Sequence, residues 1–368
     1  MWWSNGQDVP PLVTTSSQAQ NGILGQSSTQ TLFGGRTYGT DIRHGYRIRF
    51  GGWLDECRLW GLEADFLDLG QDVTSYSNSS TGDPLLARPI YDILTDQEGS
   101  QIISKESTAS GSVDSRVAED FLGAGVGLRR NLRCFFSCDD GCGSCEEYDC
   151  EELGCGTTSA GSTCWRLDLI GGYRHYRLQN SVDINEFVTL TTGQGGNPAG
   201  TTFDVRDSFS TRNEFHGGEL GLVWQGYRDR WSFEMMAKVG LGNNRQTVDI
   251  QGQTIVTVPG NDPVTHSGGL LALDTNIGSY QRDRFVVIPH FGFELGYELN
   301  CCSRVFVGYE FLLWTDVVRA GDQIDRVVNT NYIPPIQTTP TGPQRPAFDW
   351  NSSEFWAQSI TLGYELRR

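Results

Sequence analysis

The densest run of reactive side chains in the 368-residue sequence is Cys134, Cys138, Cys142, Cys145, Cys150, Cys155 and Cys164, interleaved with Asp139, Asp140, Glu146, Glu147, Asp149, Glu151 and Glu152. Thiolates among carboxylates attract divalent ions, and Cys142-x-x-Cys145 has zinc-like spacing. The competing chemistry is oxidation. Ten cysteines are many for an ordinary reducing compartment, and an oxidising one converts thiols to disulfides. Seven is odd, so one of these residues is expected to pair with Cys57, Cys301 or Cys302. All ten are therefore disulfide candidates, and neither a metal nor a cofactor is expected.

Other chemistry is sparse. The histidines, His44, His175, His216, His266 and His290, lack ligand spacing. His44 and His216 fall near loop ends, but nothing in the sequence brings carboxylates to them, as an outer-rim hydrolase would need. Gly123, Gly125 and Gly127 alternate within one segment with no helix pattern behind them, which is not a phosphate loop. No catalytic residue is assigned and the chain is not expected to be an enzyme.

The elements that would position these residues read as strands. In Trp231–Leu241 the apolar set is Trp231, Phe233, Met235, Ala237, Val239 and Leu241, with Ser232, Glu234, Lys238 and Gly240 opposite. That period of two suits a strand with two unlike faces and no helix. It recurs near residues 44–55, 58–70, 115–132, 164–180, 207–227, 230–246, 284–300, 303–318 and 355–367, and a further, first strand is expected to end at Trp2 and Trp3. Short turns join Asp55 to Arg58, Tyr227 to Arg230 and Asn300 to Ser303. Long polar loops are expected at 5–43, 71–114, 181–206, 247–283 and 319–354. Parity then places 134–163 and Cys57, Cys301 and Cys302 at the short-turn end.

A soluble β-sandwich would show the same alternation, with its apolar faces packed together. Composition favours the reverse arrangement. The polar faces carry Gly and charges of both signs: Arg47, Arg49, Glu63, Asp65, Arg129, Arg166, Asp168, Arg174, Glu219, Glu234, Lys238, Glu294, Glu298, Glu310 and Glu365. Such a mixture suits an ion-paired barrel lumen, and aromatics at strand ends suit interfacial girdles. No apolar run reaches the roughly 18 to 20 residues of a spanning helix, so a helical membrane protein is excluded. A net charge of −17 without a basic cluster argues against nucleic acid. Met1 is followed at once by Trp2 and Trp3, so no signal peptide is read and the first strand is expected to be truncated.

Several segments resemble a large planctomycetal family of outer-membrane β-barrel proteins. They are WWSNGQDVPPLVTTS, GILGQ (Gly22 to Gln26), TLFGG (Thr31 to Gly35), GDPLLARPIYD (Gly82 to Asp92), Val307 to Asn329 and Pro346 to Arg367. The resemblance implies no known activity and no site residues to transfer. It implies a terminal strand read by the barrel-insertion machinery, although this one closes on Glu365, Leu366, Arg367 and Arg368, with Tyr364 the nearest aromatic. The expectation is an all-β, up-and-down antiparallel transmembrane barrel of about ten strands in the outer membrane of a Gram-negative cell, one domain over 1–368 with a Cys-rich periplasmic insertion at 134–163. Its partners would be outer-membrane lipid and the insertion machinery, with no nucleic acid and an unknown extracellular partner. It would serve as a structural scaffold or narrow, porin-like pore; the alternative is a surface interaction protein or adhesin binding a partner or polysaccharide through long extracellular loops.

Overall fold

Alternation becomes β-strand over most of the chain. The computed structural model describes residues 1–55, 58–137, 163–300, 303–336 and 339–366, with side chains described except at 134–137 and 163–164. Five short strands open it: β1 (Trp2–Ser4), β2 (Gln7–Val9), β3 (Val13–Thr15), β4 (Gln30–Phe33) and β5 (Arg36–Tyr38). A hairpin of β6 (Tyr46–Trp53) and β7 (Trp60–Ser80) follows, then a second of β8 (Leu86–Asp92) and β9 (Gln97–Ser104). The longest strands are β10 (Ala109–Ser137), β11 (Thr163–Leu190), β12 (Thr202–Arg228) and β13 (Trp231–Thr257). After β14 (Val264–Ser267) come β15 (Gly278–Asn300), β16 (Ser303–Val317), β17 (Val327–Val328) and β18 (Ser353–Leu366).

The wall is one antiparallel sheet in the order β1-β18-β16-β15-β13-β12-β11-β10-β7-β6, with β14 appended to β13. It is curled, because side chains span its interior: Lys238 on β13 reaches Glu63 on β7 at 3.3 Å. At one level its two ends meet, where Trp2 exchanges both main-chain hydrogen bonds with Arg43 just before β6, at 2.9 and 2.8 Å.

The pleat carries the apolar residues outward. Leu62, Val126, Leu128, Tyr173, Leu220, Leu222, Trp231, Met235, Leu241, Phe291, Phe293, Val307, Tyr309, Ile360 and Leu362 are all exposed. Asp65, Asp168, Arg174, Glu219, Glu234, Lys238, Glu294 and Glu310 on the opposite face are buried. A sandwich would have buried the first set; here the barrel arrangement holds.

The strands correct one expectation. Parts of the stretches read as loops at 71–114, 181–206 and 247–283 are strand, since β7 runs to Ser80, β11 to Leu190, β12 starts at Thr202, and β13 runs to Thr257. At ~3.3 Å per residue, strands of 27 to 29 residues are roughly 90 Å long, far more than the ~9–11 residues needed to cross a bilayer. The reason they hide in the sequence is a change of phase. On β11 the outward residues are Trp165, Leu167, Leu169 and Tyr173, but higher up the apolar residues are the inward Tyr176, Leu178, Val182 and Ile184. β10, β12 and β13 switch in the same way, so each long strand is apolar outside at one end and apolar inside at the other.

Inside the upper end lies an ordinary hydrophobic core. Val113, Val117, Val182, Ile184, Phe209, Val248 and Ile250 from the wall pack on Val9, Leu12, Val13 and Phe33, on Leu86, Ile90 and Ile103, and on Leu270 to Leu273 and Val318. The segments read as polar loops at 5–43 and 319–354 thus supply residues to a folded cap held within the wall.

Candidate functional site in the lumen

Below the cap the lumen is filled by ion pairs. Arg174 on β11 grips Glu219 on β12 through two bonds of 2.8 Å and reaches past β10 to Asp65 on β7, also at 2.8 Å. Gly125 on β10 makes this crossing possible, since a Cβ there would lie 2.5 Å from the Arg174 guanidinium carbon. Lys238 bridges Glu63 and Glu219, each at 3.3 Å. Arg47 pairs with Glu310 across the lumen and stands 3.4 Å from Asp65. Arg49 faces Glu234, Glu294 and Glu310 at 3.4, 3.6 and 3.9 Å. Buried charges are tolerable only when paired, and these are.

Nearer the short-turn end, Asp168 collects Arg129 at 2.6 Å, Arg166 at 2.9 Å and the Asn131 amide at 2.8 Å. The Arg166 guanidinium also lies 4.2 Å over the Trp53 ring. Arg304 joins Glu294 at 3.1 Å to Glu365 at 2.6 Å, and Glu298 lies on the inward phase at the end of β15. Ion pairs thus connect the other charged side chains named here in one network, and Glu298 shares the inward phase of β15. His290 belongs to it as well, 3.2 Å from Glu310.

Between this layer and the cap lies a buried aromatic septum. The Trp314 ring centre is 6.5 Å from Phe121, 6.1 Å from Tyr176 and 6.3 Å from Phe215. Phe121 in turn stacks on Tyr176 at 5.6 Å and on Phe355 at 4.9 Å. Trp2, Leu67, Leu69, Val286, Ile288 and Leu312 complete the layer, so residues from eight strands of the wall converge on it. Trp314, Phe121, Phe215 and Phe355 have no solvent exposure.

Immediately above, Glu119 is a polar hub. It accepts from Arg43, from the Ser4 hydroxyl at 2.9 Å, the Asn180 amide at 3.1 Å and Arg319 at 3.2 Å. This ties β1, β10, β11 and the segment after β16 together. Higher still, the fully buried Arg88 of β8 bonds Asp207 at 2.5 Å and Glu186 at 3.3 Å. Asp207 also accepts from the main-chain N–H groups of Leu270, Leu271 and Ala272 at 2.8 to 3.2 Å. Burial lowers the tendency of Arg88 to stay charged, but its two carboxylate partners outweigh it and raise its pKa.

An outward apolar wall around an ionic interior is the arrangement of a membrane barrel, and a family model described as "Putative beta barrel porin-7 (BBP7)" matches residues 1–367. The chain belongs to that family. No curated protein matches it. As a porin-family barrel, it carries its polar chemistry in the lumen, and the remaining sequence candidates sort around that axis.

Cys57, Cys138, Cys142, Cys145, Cys150, Cys155, Cys301 and Cys302 lie outside the described residues, as do the side chains of Cys134 and Cys164. His175 and His216 sit together on the outer face, ring centres 4.5 Å apart, with the Tyr173 hydroxyl 2.5 Å from His216 Nδ1. The segment 321–329 is an anchor within the cap: Asp325 accepts from Arg345 at 2.8 Å and from the Ala347 N–H at 3.0 Å, and Arg326 meets Glu98 at 2.8 Å. Sequence reading missed Arg88 and Arg319 because their segments looked like loops, and Glu119, although inside the strand read near 115–132, because its partners come from distant parts of the chain. It missed the septum because Phe121, Tyr176 and Phe215 lie where the apolar phase changes.

Proposed function

We propose that this porin-family chain is an outer-membrane barrel whose lumen is sealed, so that it acts as a structural scaffold without catalysis rather than as a diffusion pore. The aromatic septum carries this reading. Rings from opposite walls touch with no exposed surface between them, and a dry aromatic layer gives a hydrated ion nothing to replace its water. The paired charges beneath and the packed cap above lie in series with it. The outward apolar band, roughly seven to eleven residues tall on most strands, corresponds to about 25–35 Å and fits the lipid-facing belt of such barrels. The short turns then face the periplasm and the cap faces outward.

The test is conductance of folded protein in planar bilayers. Silence at protein densities that give steps with a general porin is the expected result, and reproducible unitary steps would remove the sealed reading.

A second reading, surface attachment through the cap, draws on its internal order. Asn329 donates to the carbonyls of Thr341 and Pro343 at 2.9 and 2.8 Å, so the mouth presents a preformed surface. Deleting residues 331–344 while the barrel stays folded would abolish attachment under this reading and leave it intact under the first.

A further inference from the structure

The wall is uneven in height. On one side β10, β11, β12 and β13 run on above the apolar band, whereas β16 ends at Val317 opposite Ser353, the first residue of β18, and β6 starts at Tyr46. Over this low side stand the paired strands β2 and β5 and the turn Gly321–Gln323, and between them lies an open hollow of about 340 Å³. Asp8, Val9, Arg36, Thr37, Asp322 and Ile324 contribute to its lining. Val9 and Ile324 are buried, while Asp8, Arg36 and Thr37 are exposed.

The cap's own bonds hold this hollow in shape. The Gly321 N–H donates to Gln7 Oε1 at 3.2 Å, and Gly321 lies so close to the Asp8 carbonyl that a side chain has no room there. The Thr37 hydroxyl donates to Asp8 Oδ1, and the Ser353 hydroxyl donates to Asp322 Oδ2 at 2.8 Å. Each carboxylate thus keeps one oxygen, Asp8 Oδ2 and Asp322 Oδ1, without a donor among the described residues. The Arg36 guanidinium lies 4.7 Å over the Tyr38 ring, a contact that fixes its direction, and it pairs with neither carboxylate. Two anions and a cation therefore line one hollow without neutralising one another. Burial holds the Asp322 carboxyl above its ordinary value and the charge of Asp8 adds to that, a repulsion that a bound cation relieves.

We propose that the hollow binds a compact zwitterion, an ammonium joined through a short linker to a phosphate, as in phosphoethanolamine. The ammonium donates to the open oxygens of Asp8 and Asp322, the phosphate takes the guanidinium fork of Arg36, and the methylenes of the linker lie on Val9 and Ile324. The height of the hollow assigns the anion. Trp3 and Trp356 lie on the outward phase of β1 and β18, between buried neighbours, as interfacial girdle residues do. Ser353, which holds Asp322, stands three residues above Trp356, roughly 10 Å. That is the headgroup zone in the lipid-facing reading of the wall, on which the choice of phosphate over carboxylate rests.

The experiment titrates soluble O-phosphoethanolamine into the full chain in a phosphate-free detergent and follows its phosphorus NMR linewidth. It should bind at least about tenfold more tightly than phosphocholine, whose quaternary ammonium has no N–H, and than ethanolamine or inorganic phosphate used as competitors. Asp8→Asn and Arg36→Gln, both at exposed positions, should each weaken binding at least about tenfold. Absence of saturable binding, equal binding of phosphocholine, affinity unchanged in both variants, or calcium that excludes the probe by occupying the two carboxylates would each overturn the site. Phosphatidylethanolamine added to the micelles distinguishes the source: displacement of the soluble probe assigns the group to a lipid and retention assigns it to a soluble ester, and the site is upheld in both cases. Because binding is read in detergent, it stands or falls apart from the lipid-facing reading, which flotation of the protein with liposomes tests separately.

Discussion

Phe121 on β10 and Phe355 on β18 stack with ring centres 4.9 Å apart, although β7, β6 and β1 separate their strands in the wall. A contact between distant strands of the curled wall is what the sealed-lumen proposal rests on. Replacing Phe121 and Trp314 together by Ala should open the lumen. Each truncation costs about 3–5 kcal/mol from a dry core, so the double variant should unfold at lower denaturant, and whatever fraction folds should show channel steps that the parent lacks. Folded but silent double variant would place the seal in the ion-paired layer or the cap.

Arg174 neutralises both Asp65 and Glu219. Arg174→Ala leaves two buried carboxylates short of a partner and should destabilise the barrel by about 3–5 kcal/mol. Gly125→Val should reproduce much of that loss, because its side chain fills the space the guanidinium crosses. Urea unfolding followed by tryptophan fluorescence measures both, and a wild-type midpoint for Gly125→Val would show that the crossing is not needed.

The Arg88 network joins the β8–β9 hairpin to β11, β12 and the 270–273 segment. Arg88→Ala should therefore loosen the cap selectively. Limited proteolysis is expected to cut near residues 92–97 at least about tenfold faster, with cleavage of the barrel strands unchanged. Equal protection in both proteins would show that apolar packing alone retains the hairpin.

Burial holds the Asp322 carboxyl above its ordinary value, against a hydrogen bond from the Ser353 hydroxyl at 2.8 Å and the nearby Arg319. The folded cap thus binds this proton more tightly than the unfolded chain does. Its contribution to stability is fully present below the ordinary aspartate pKa and is lost as pH rises through the elevated one. Asp322→Asn keeps the acceptor and removes the charge, so it should stabilise the cap at pH 7 and make little difference at pH 3. An equal effect at both values would assign the change to something other than ionisation.

If the outward apolar band meets lipid, Leu222→Arg should cost about 2–4 kcal/mol of folding into bilayers. Ser210→Arg, on the same face of β12 but above the band, should cost almost nothing. Refolding into phosphatidylcholine vesicles, scored by heat-modifiable gel migration, separates the two, and equal costs would remove lipid from that face.

The sequence alone determined the strand character, the two unlike faces and the composition of each, because a period of two is local and survives without coordinates. Trp231–Leu241 and the charges from Arg47 to Glu365 needed nothing more. It also contained the change of phase at Tyr173/Tyr176 on β11, but a reader following one phase takes the switch for the end of a strand. Only the tertiary structure decided that 5–43 and 319–354 turn inward, that Arg88 and Glu119 are buried hubs, and that Phe121, Tyr176, Phe215, Trp314 and Phe355 meet. Those contacts join residues up to hundreds of positions apart across a curled wall. Which side of a strand faces inward at a given height depends on curvature and on what else fills the cylinder, and neither is encoded in the alternation of any single strand.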